Sequence, residues 1–220
     1  MNVAILGSTS SLGRCLISSL NDVGIDTTSF CKSSDYDNCI SIDANNLDIE
    51  EIKKVFVKKY DCYIFTIGLL QPKSILMQSE EEIIKSMKVN ALYIVKCCEY
   101  LFKTNANARV FIIGSESGRK GSFDTSYFLS KSMLRAYVRQ RRVDENQQLL
   151  LISPSTIEDS SMTMDRTDYE TLEKYRKQHP KKRFLYMQEL TLYLTDIILN
   201  PSTYMSNVEI EINGGKFCRM

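Results

Sequence analysis

The stretch Asn2-Val3-Ala4-Ile5-Leu6-Gly7-Ser8-Thr9-Ser10-Ser11-Leu12-Gly13-Arg14 decides the fold. Its apolar run, Val3 to Leu6, is too short for a helix and ends at a glycine, the pattern of a strand covered on both faces. Small residues follow, and a helical pattern begins at Leu12. A strand feeding a small-residue turn and then a helix N-terminus builds an anion site. Backbone N–H groups point outward, the helix dipole favours negative charge, and small side chains let a pyrophosphate approach. The turn is no P-loop, because five residues separate Gly7 from Gly13 and Arg14 stands where a lysine is required. Nor is it G-x-G-x-x-G, since Thr9 takes the place of the second glycine.

Outward from this stretch, short β-branched runs alternate with amphipathic segments. The runs at 2–6, 27–31, 39–42, 62–67, 109–113, 149–152 and 208–212 predict strands. Segments 12–22, 47–60, 80–103, 125–145, 169–178 and 187–199 predict helices. The longest opens on Ser79-Glu80-Glu81-Glu82, a capping box in which Ser79 and Glu82 satisfy each other's free amides. Its apolar face, Ile83 to Phe102, is wide enough to predict a subunit contact as well as sheet packing. No repeat or Pro/Gly linker divides the 220 residues, so a single doubly wound α/β domain over 1–220 is expected.

Composition removes several function classes. Apolar residues make up 43% and charged residues 25%, enough apolar material for a real core. Lys and Arg total 28 against 27 Asp and Glu, and a net charge of +1 argues against a nucleic-acid binder held by phosphate contacts. Arg135, Arg139, Arg141 and Arg142 read as a solvated helix end, where cations favour the dipole. One histidine, His179, rules out a multi-histidine metal site, and no metal is expected. The seven cysteines show no C-x-x-C and read as reduced thiols, mostly small buried hydrophobes, which suits a reducing compartment. Neither a secretory leader nor a membrane span is legible, so a soluble cytoplasmic protein is expected.

A second constellation lies further along. Val110-Phe111-Ile112-Ile113 runs into Gly114-Ser115-Glu116-Ser117-Gly118, and twelve residues after Ser115 comes Tyr127. In the helix predicted there, Tyr127 and Lys131 are i, i+4 neighbours on one face. A lysine cation beside a phenol favours phenolate and draws its pKa down from about 10. Such a phenol gives or takes a proton at a carbonyl or alcohol oxygen. Ser115, at a strand end where α/β sheets place ligands, is positioned to bond the same oxygen.

With these residues in order, the chain resembles a short-chain dehydrogenase/reductase from Asn2 to Gly215. The family's G-x-x-x-G-x-G turn matches Gly7 and Gly13, with Ser11 in place of the middle glycine. Its active-site Asn, Ser, Tyr and Lys fall on Asn90, Ser115, Tyr127 and Lys131, with Ser117 a minor rival to Ser115. Its adenine-side aspartate matches Asp43, beside Ala44, and its Pro-Gly appears as Pro154-Ser155. Its D-G-G reads Asn213-Gly214-Gly215, and its N-N-A-G reads Phe65-Thr66-Ile67-Gly68, keeping only the glycine.

The resemblance implies a Rossmann-like domain, a parallel seven-stranded sheet with helices on both faces. It implies an NAD(P)(H)-dependent oxidoreductase on a small carbonyl or alcohol substrate, with Tyr127 as acid/base. Lys131 would tune the tyrosine and hold the nicotinamide ribose, Ser115 would polarise the carbonyl, and Asn90 would support a water relay. The cofactor site it implies comprises Gly7, Thr9, Ser11, Leu12, Gly13, Lys32, Asp43, Ala44, Gly68, Asn90, Tyr127, Lys131, Pro154, Ser155 and Ile157. Lys32 follows strand two with no carboxylate until Asp35, which favours NADP(H) over NAD(H); the alternative is that Asp35 or Asp37 holds the ribose. Residues 156–184, with Met162, Met164 and Tyr169, fall where the family keeps its substrate lid. A homodimer or homotetramer, without nucleic-acid or membrane partners, is implied. The alternative function is a dinucleotide-binding sensor or scaffold without turnover.

Overall fold

Seven strands form one parallel sheet in the order β3-β2-β1-β4-β5-β6-β7 in the computed structural model, which describes residues 1–32, 38–202 and 204–218. The strands are β1 (Asn2–Leu6), β2 (Asp26–Cys31), β3 (Cys39–Ser41), β4 (Cys62–Phe65), β5 (Arg109–Ile113), β6 (Gln148–Pro154) and β7 (Val208–Ile212). The chain builds outward from β1 to β3, then crosses back to place β4 beside β1 and continues the other way. The order therefore reverses between β1 and β4, the switch point at which such sheets bind ligands.

Near-continuous apolarity in the strands has a direct cause. Alternate residues point to opposite faces, and both faces are covered. Ala4, Leu6, Tyr63, Phe65, Val110 and Ile112 face one core, closed by α2 (Ile49–Val55), α4 (Tyr93–Thr104) and α6 (Thr125–Gln140). Val3, Ile5, Ile64, Phe111 and Ile113 face the other, closed by α1 (Ser11–Asp22) and α9 (Met187–Leu199). The doubly wound reading is borne out.

Three expectations are corrected, while the helix expected over 80–103 forms without interruption as α3 (Glu80–Met87), a π-helical turn over Lys88–Leu92, and α4, with the capping box of Ser79 and Glu82 as read. Most of its apolar width goes into the core through Tyr93, Ile94, Cys97, Cys98 and Leu101. Ile84 and, on α6, Leu129 stay exposed. The helix α6 ends at Gln140 rather than at 145; at that end Asn207 donates its amide to the carbonyls of Val138 and Arg141. Arg135 is no solvated helix end: it pairs with Glu209 at 2.9 Å and ties α6 to β7.

The third correction concerns the thiols. Cys31 and Cys39 form a disulfide, their Cα atoms 6.2 Å apart. The parallel register sets Cys31 against Ser41 and Cys39 against Ser29, so the two cysteines become diagonal neighbours across β2 and β3 within bonding reach. Cys62, Cys97 and Cys98 are buried thiols as expected, while Cys15 and Cys218 are exposed. Among the described residues no helix is long and apolar enough to cross a membrane. Alkylation of the denatured, unreduced protein is expected to modify Cys15, Cys62, Cys97, Cys98 and Cys218 and to reach Cys31 and Cys39 only after reduction. Mass spectrometry showing all seven cysteines modified without reductant would contradict the bond.

Candidate active site

The turn after β1 is held from behind. Gly7, at φ +94°, and Ser8 both donate backbone N–H groups to the Phe30 carbonyl at the end of β2, at 2.8 and 3.1 Å. A Cβ on Gly13 would lie 2.5 Å from the Gly7 carbonyl oxygen, so the helix start presses against the turn and only glycine fits. Ser10 caps α1 by accepting from the Gly13 N–H at 3.0 Å. Among the described residues the N–H groups of Thr9, Ser11 and Leu12 find no acceptor, and they stand at the positive end of α1. Ser11 carries the one lid contact on the turn: its Oγ lies 3.2 Å from both the Oγ and the backbone nitrogen of Ser161.

Sequence reasoning missed Thr66. Its buried hydroxyl lies 3.1 Å from the Leu6 carbonyl oxygen and 2.9 Å from that of Gly7, and it accepts from Ser10 at 3.2 Å. The signal was present as a hydroxyl residue closing an otherwise apolar strand.

The second half of the site grows from β5 and α6. Ser115 follows β5 directly, and its Oγ accepts from the Ser117 N–H at 3.1 Å, which starts the short helix α5 (Ser117–Lys120). Ser117 thus supplies the turn, and Ser115 is the serine beside the tyrosine. Asp124, also missed, caps α6 by accepting from the Tyr127 N–H at 3.0 Å. The same carboxylate accepts from the Gln71 N–H at 2.6 Å and from the Gln78 amide at 2.9 Å, fixing the loop after β4 against the tyrosine's helix.

Tyr127 and Lys131 are both buried on one face of α6. The Lys131 ammonium donates to the Ile113 carbonyl at 2.9 Å and lies 5.6 Å from the centroid of the Tyr127 ring. Burial raises the Tyr127 pKa, a hydrogen bond with Ser115 opposes this, and Asp124 adds to the rise. The expected lowering by Lys131 does not dominate, because the ammonium is spent on Ile113 and sits toward the ring rather than at the hydroxyl. Burial in turn pushes the Lys131 ammonium down to about 8.

Asn90 lies in the π-helical turn, a distortion common at functional sites. Its Oδ1 accepts from the Leu69 N–H at 2.7 Å, and its amide donates to the Leu69 carbonyl at 2.8 Å and to Ser86 at 3.1 Å. It clamps the segment after β4 on both sides.

The other expected residues line the same sheet edge. Gly68 is exposed, and a Cβ there would meet the Met162 methyl at 3.4 Å and the Asn90 Oδ1 at 3.9 Å. Asp43 and Ala44 follow β3; the exposed Asp43 carboxylate accepts from the Asn45 N–H at 2.9 Å. Pro154 ends β6, Ser155 donates its N–H to Ile212 at 2.9 Å, and Ile157 bridges to Leu185. Lys32 is exposed just after β2, whereas Ser33, Asp35 and Asp37 lie outside the described residues. Of the expected lid, α7 (Ser161–Met164) and α8 (Tyr169–Gln178) form, with Met164 and Tyr169 largely exposed. No group of three or more His, Cys, Asp or Glu residues capable of holding a metal exists among the described residues.

No protein-family model and no curated protein matches the chain. Solved structures do. The chain is 18% identical to 4-hydroxyisoleucine dehydrogenase, solved in complex with NADH, at a TM-score of 0.87 over 100% of this chain and 99% of that one. It is also 18% identical to a short-chain dehydrogenase family protein from Francisella tularensis, at a TM-score of 0.82 over 99% of each. ElxO, solved with NADPH bound, is 14% identical at a TM-score of 0.81, again over 99% of each. The fold is that of the short-chain dehydrogenases.

Within a short-chain dehydrogenase fold the site's weak point for stability is Lys131. At about 1.4 kcal/mol per pH unit, holding a buried cation that titrates at about 8 disfavours the fold by about 3 kcal/mol at neutral pH. Above about pH 10.5 neither folded nor unfolded chain carries that proton, so the penalty is absent; it grows as pH falls and is complete below about 8. Lys131→Met is therefore expected to stabilise the fold at pH 7 by a net of about 1–2 kcal/mol after losing the Ile113 bond, and so to raise the melting temperature. The gain should fade between pH 8 and 10.5. Thermal melts of both proteins across that range check it, and a gain independent of pH would show that no buried charge was removed.

Proposed function

We propose that the chain is a short-chain dehydrogenase/reductase that interconverts a carbonyl and an alcohol with NAD(P)(H), using Tyr127 as the acid/base. The observation that carries this reading is the convergence of Ser115, Tyr127 and Lys131 in one buried constellation beside a switch point whose turn presents unpaired N–H groups.

The residues fit a dinucleotide. The N–H groups of Thr9, Ser11 and Leu12 suit a pyrophosphate, and Gly7 and Gly13 keep the turn close to it. Asp43 and Ala44 suit the adenine side, while Gly68, Pro154, Ser155 and Ile157 suit the nicotinamide side. The buried Lys131 ammonium makes one hydrogen bond, which leaves two N–H donors for ribose hydroxyls. Bound there, the dinucleotide supplies two-electron redox chemistry. Tyr127 gives its hydroxyl proton to the substrate oxygen in reduction and takes it back in oxidation. Ser115 donates to the same oxygen and holds it against the phenol. The phenolate left behind keeps the hydrogen bond with Ser115, while the Lys131 ammonium, held by Ile113, serves the ribose. Asn90, with its amide committed to Leu69 and Ser86, positions the 68–70 segment, and support of a water relay behind Lys131 is proposed beside that.

Lys32, exposed at the end of β2, supports a preference for NADP(H) over NAD(H). The buried free thiols Cys62, Cys97 and Cys98 suit the cytoplasmic setting proposed, whereas the Cys31–Cys39 disulfide suits an oxidising one. A small carbonyl or alcohol is the partner proposed, with neither nucleic acid nor membrane. Ile84 and Leu129, exposed on α3 and α6, support pairing of these helices in a homodimer or homotetramer.

Tyr127→Phe is expected to lower turnover by about 10²–10⁴-fold while leaving the dissociation constant for the cofactor nearly unchanged. Comparable turnover in the variant removes Tyr127 from the acid/base role, and tight cofactor binding without turnover in the wild type selects the sensor reading. Equilibrium titrations should show tighter NADPH than NADH binding, the difference shrinking with salt and vanishing in Lys32→Ala; equal affinities rule out a Lys32 phosphate contact. Light scattering at micromolar concentration should report two or four copies, and a 25.3 kDa particle would dismiss the oligomer.

A further inference from the structure

At the C-terminal ends of β6 and β7 lies a cavity of about 180 Å³ that shares only Ser155 with the residues proposed for the cofactor. Its polar lining comes from Ser155 after β6, His179 and Lys181 after α8, and Asn213 after β7. The cavity is tied to the reaction centre through the backbone: Glu116, next to Ser115, donates its N–H to the Pro154 carbonyl at 2.9 Å, and Ser155 is the following residue.

Two buried polar atoms at this cavity lack a well-formed hydrogen bond, the Ser155 hydroxyl and the His179 Nε2, on residues only 5% and 4% exposed; the Asn213 carbonyl faces the histidine ring without closing a bond of good geometry. The hydrogen on the histidine ring can be placed. Lys181 donates its backbone N–H to Nδ1 at 3.1 Å, so Nδ1 holds a lone pair and, in the neutral ring, Nε2 carries the hydrogen. Burial and the Lys216 ammonium favour that neutral ring, outweighing Glu116 and the Asn213 carbonyl, which act the other way. The ring is wedged against Gly214, at φ +61°, where a Cβ would lie 2.6 Å from its Cε1. The buried donors are thus an imidazole N–H and a hydroxyl. Leaving such groups unmatched is costly, which points to an acceptor.

The surrounding charge identifies the acceptor's class. Arg183 is neutralised by Glu189, at 2.6 and 2.7 Å, and Glu116 is shared by Lys120 and Lys216. The Lys181 side chain has no ion-pair partner among the described residues, so the surplus at the mouth is positive. Two donors and one free cation suit a two-oxygen monoanion, while a phosphate dianion would be under-matched.

We propose that this cavity is a carboxylate subsite, so that the preferred substrates are hydroxy or oxo acids rather than neutral alcohols or carbonyls; the binding stands by itself, while the substrate class rests on the oxidoreductase reading. Calorimetric titration of the protein with butyrate and with butyramide, its neutral counterpart, tests the binding. Butyrate should bind at least tenfold tighter than butyramide. Lys181→Met and His179→Phe should each remove most of that difference, and His179→Gln, which keeps a donor, should retain more of it than His179→Phe. Equal binding, no binding of either (a cavity that holds only water), or full discrimination in Lys181→Met overturns the proposal. Lys181 is exposed, so that variant remains informative should the His179 variants fail to fold. Turnover of 3-hydroxybutyrate against its methyl ester then separates the two readings. Butyrate binding without turnover of either compound sinks the oxidoreductase and leaves the subsite. Turnover of both alike without butyrate binding does the reverse.

Discussion

The hydroxyl of Thr66 joins the two halves of the sheet where their order reverses. It stands between the carbonyl oxygens of Leu6 and Gly7 and accepts from Ser10, so one side chain fixes the end of β1, the start of the glycine turn and the end of β4 together. The orientation of α1 follows, because Ser10 caps that helix through Gly13. The unpaired N–H groups at the helix start are aimed by this arrangement rather than by any side chain of their own.

On the other side of the switch point, order is imposed by two side-chain clamps. Asn90 grips Leu69 at both its N–H and its carbonyl, and Asp124 grips Gln71, Gln78 and the first turn of α6. The segment after β4 is held from both ends. Asp124 thereby ties the first turn of α6, which carries Tyr127, to the segment after β4. The burial that positions Lys131 also makes its charge unfavourable in the fold.

Much of this was legible in the chain. The alternation of short apolar runs with helical segments located every strand of the sheet to within two residues at either end, most plainly β4, β5 and β6, which are buried on both faces, while the outer β2, β3 and β7 carry polar residues. Ser115, Tyr127 and Lys131 were legible because a strand end and an i, i+4 pair are local patterns. Asn90 was legible, but its clamp on Leu69 was not, since that partner lies 21 residues away. The disulfide between Cys31 and Cys39 depends on the register of β2 and β3, and the π-helical turn over Lys88–Leu92 leaves no mark on the helical pattern.

The sequence by itself determined the fold class, the glycine turn and the trio at β5 and α6, because these follow from periodicities and spacings of a dozen residues or fewer. Only the tertiary structure decided which groups are left without partners. That Thr66 binds two carbonyls, that burial holds the Tyr127 phenol up and the Lys131 ammonium down, and that Ser155 and His179 share a cavity all depend on packing between distant segments. Desolvation and hydrogen-bond satisfaction are properties of an environment, and the environment of each of these atoms is built from residues far away along the chain.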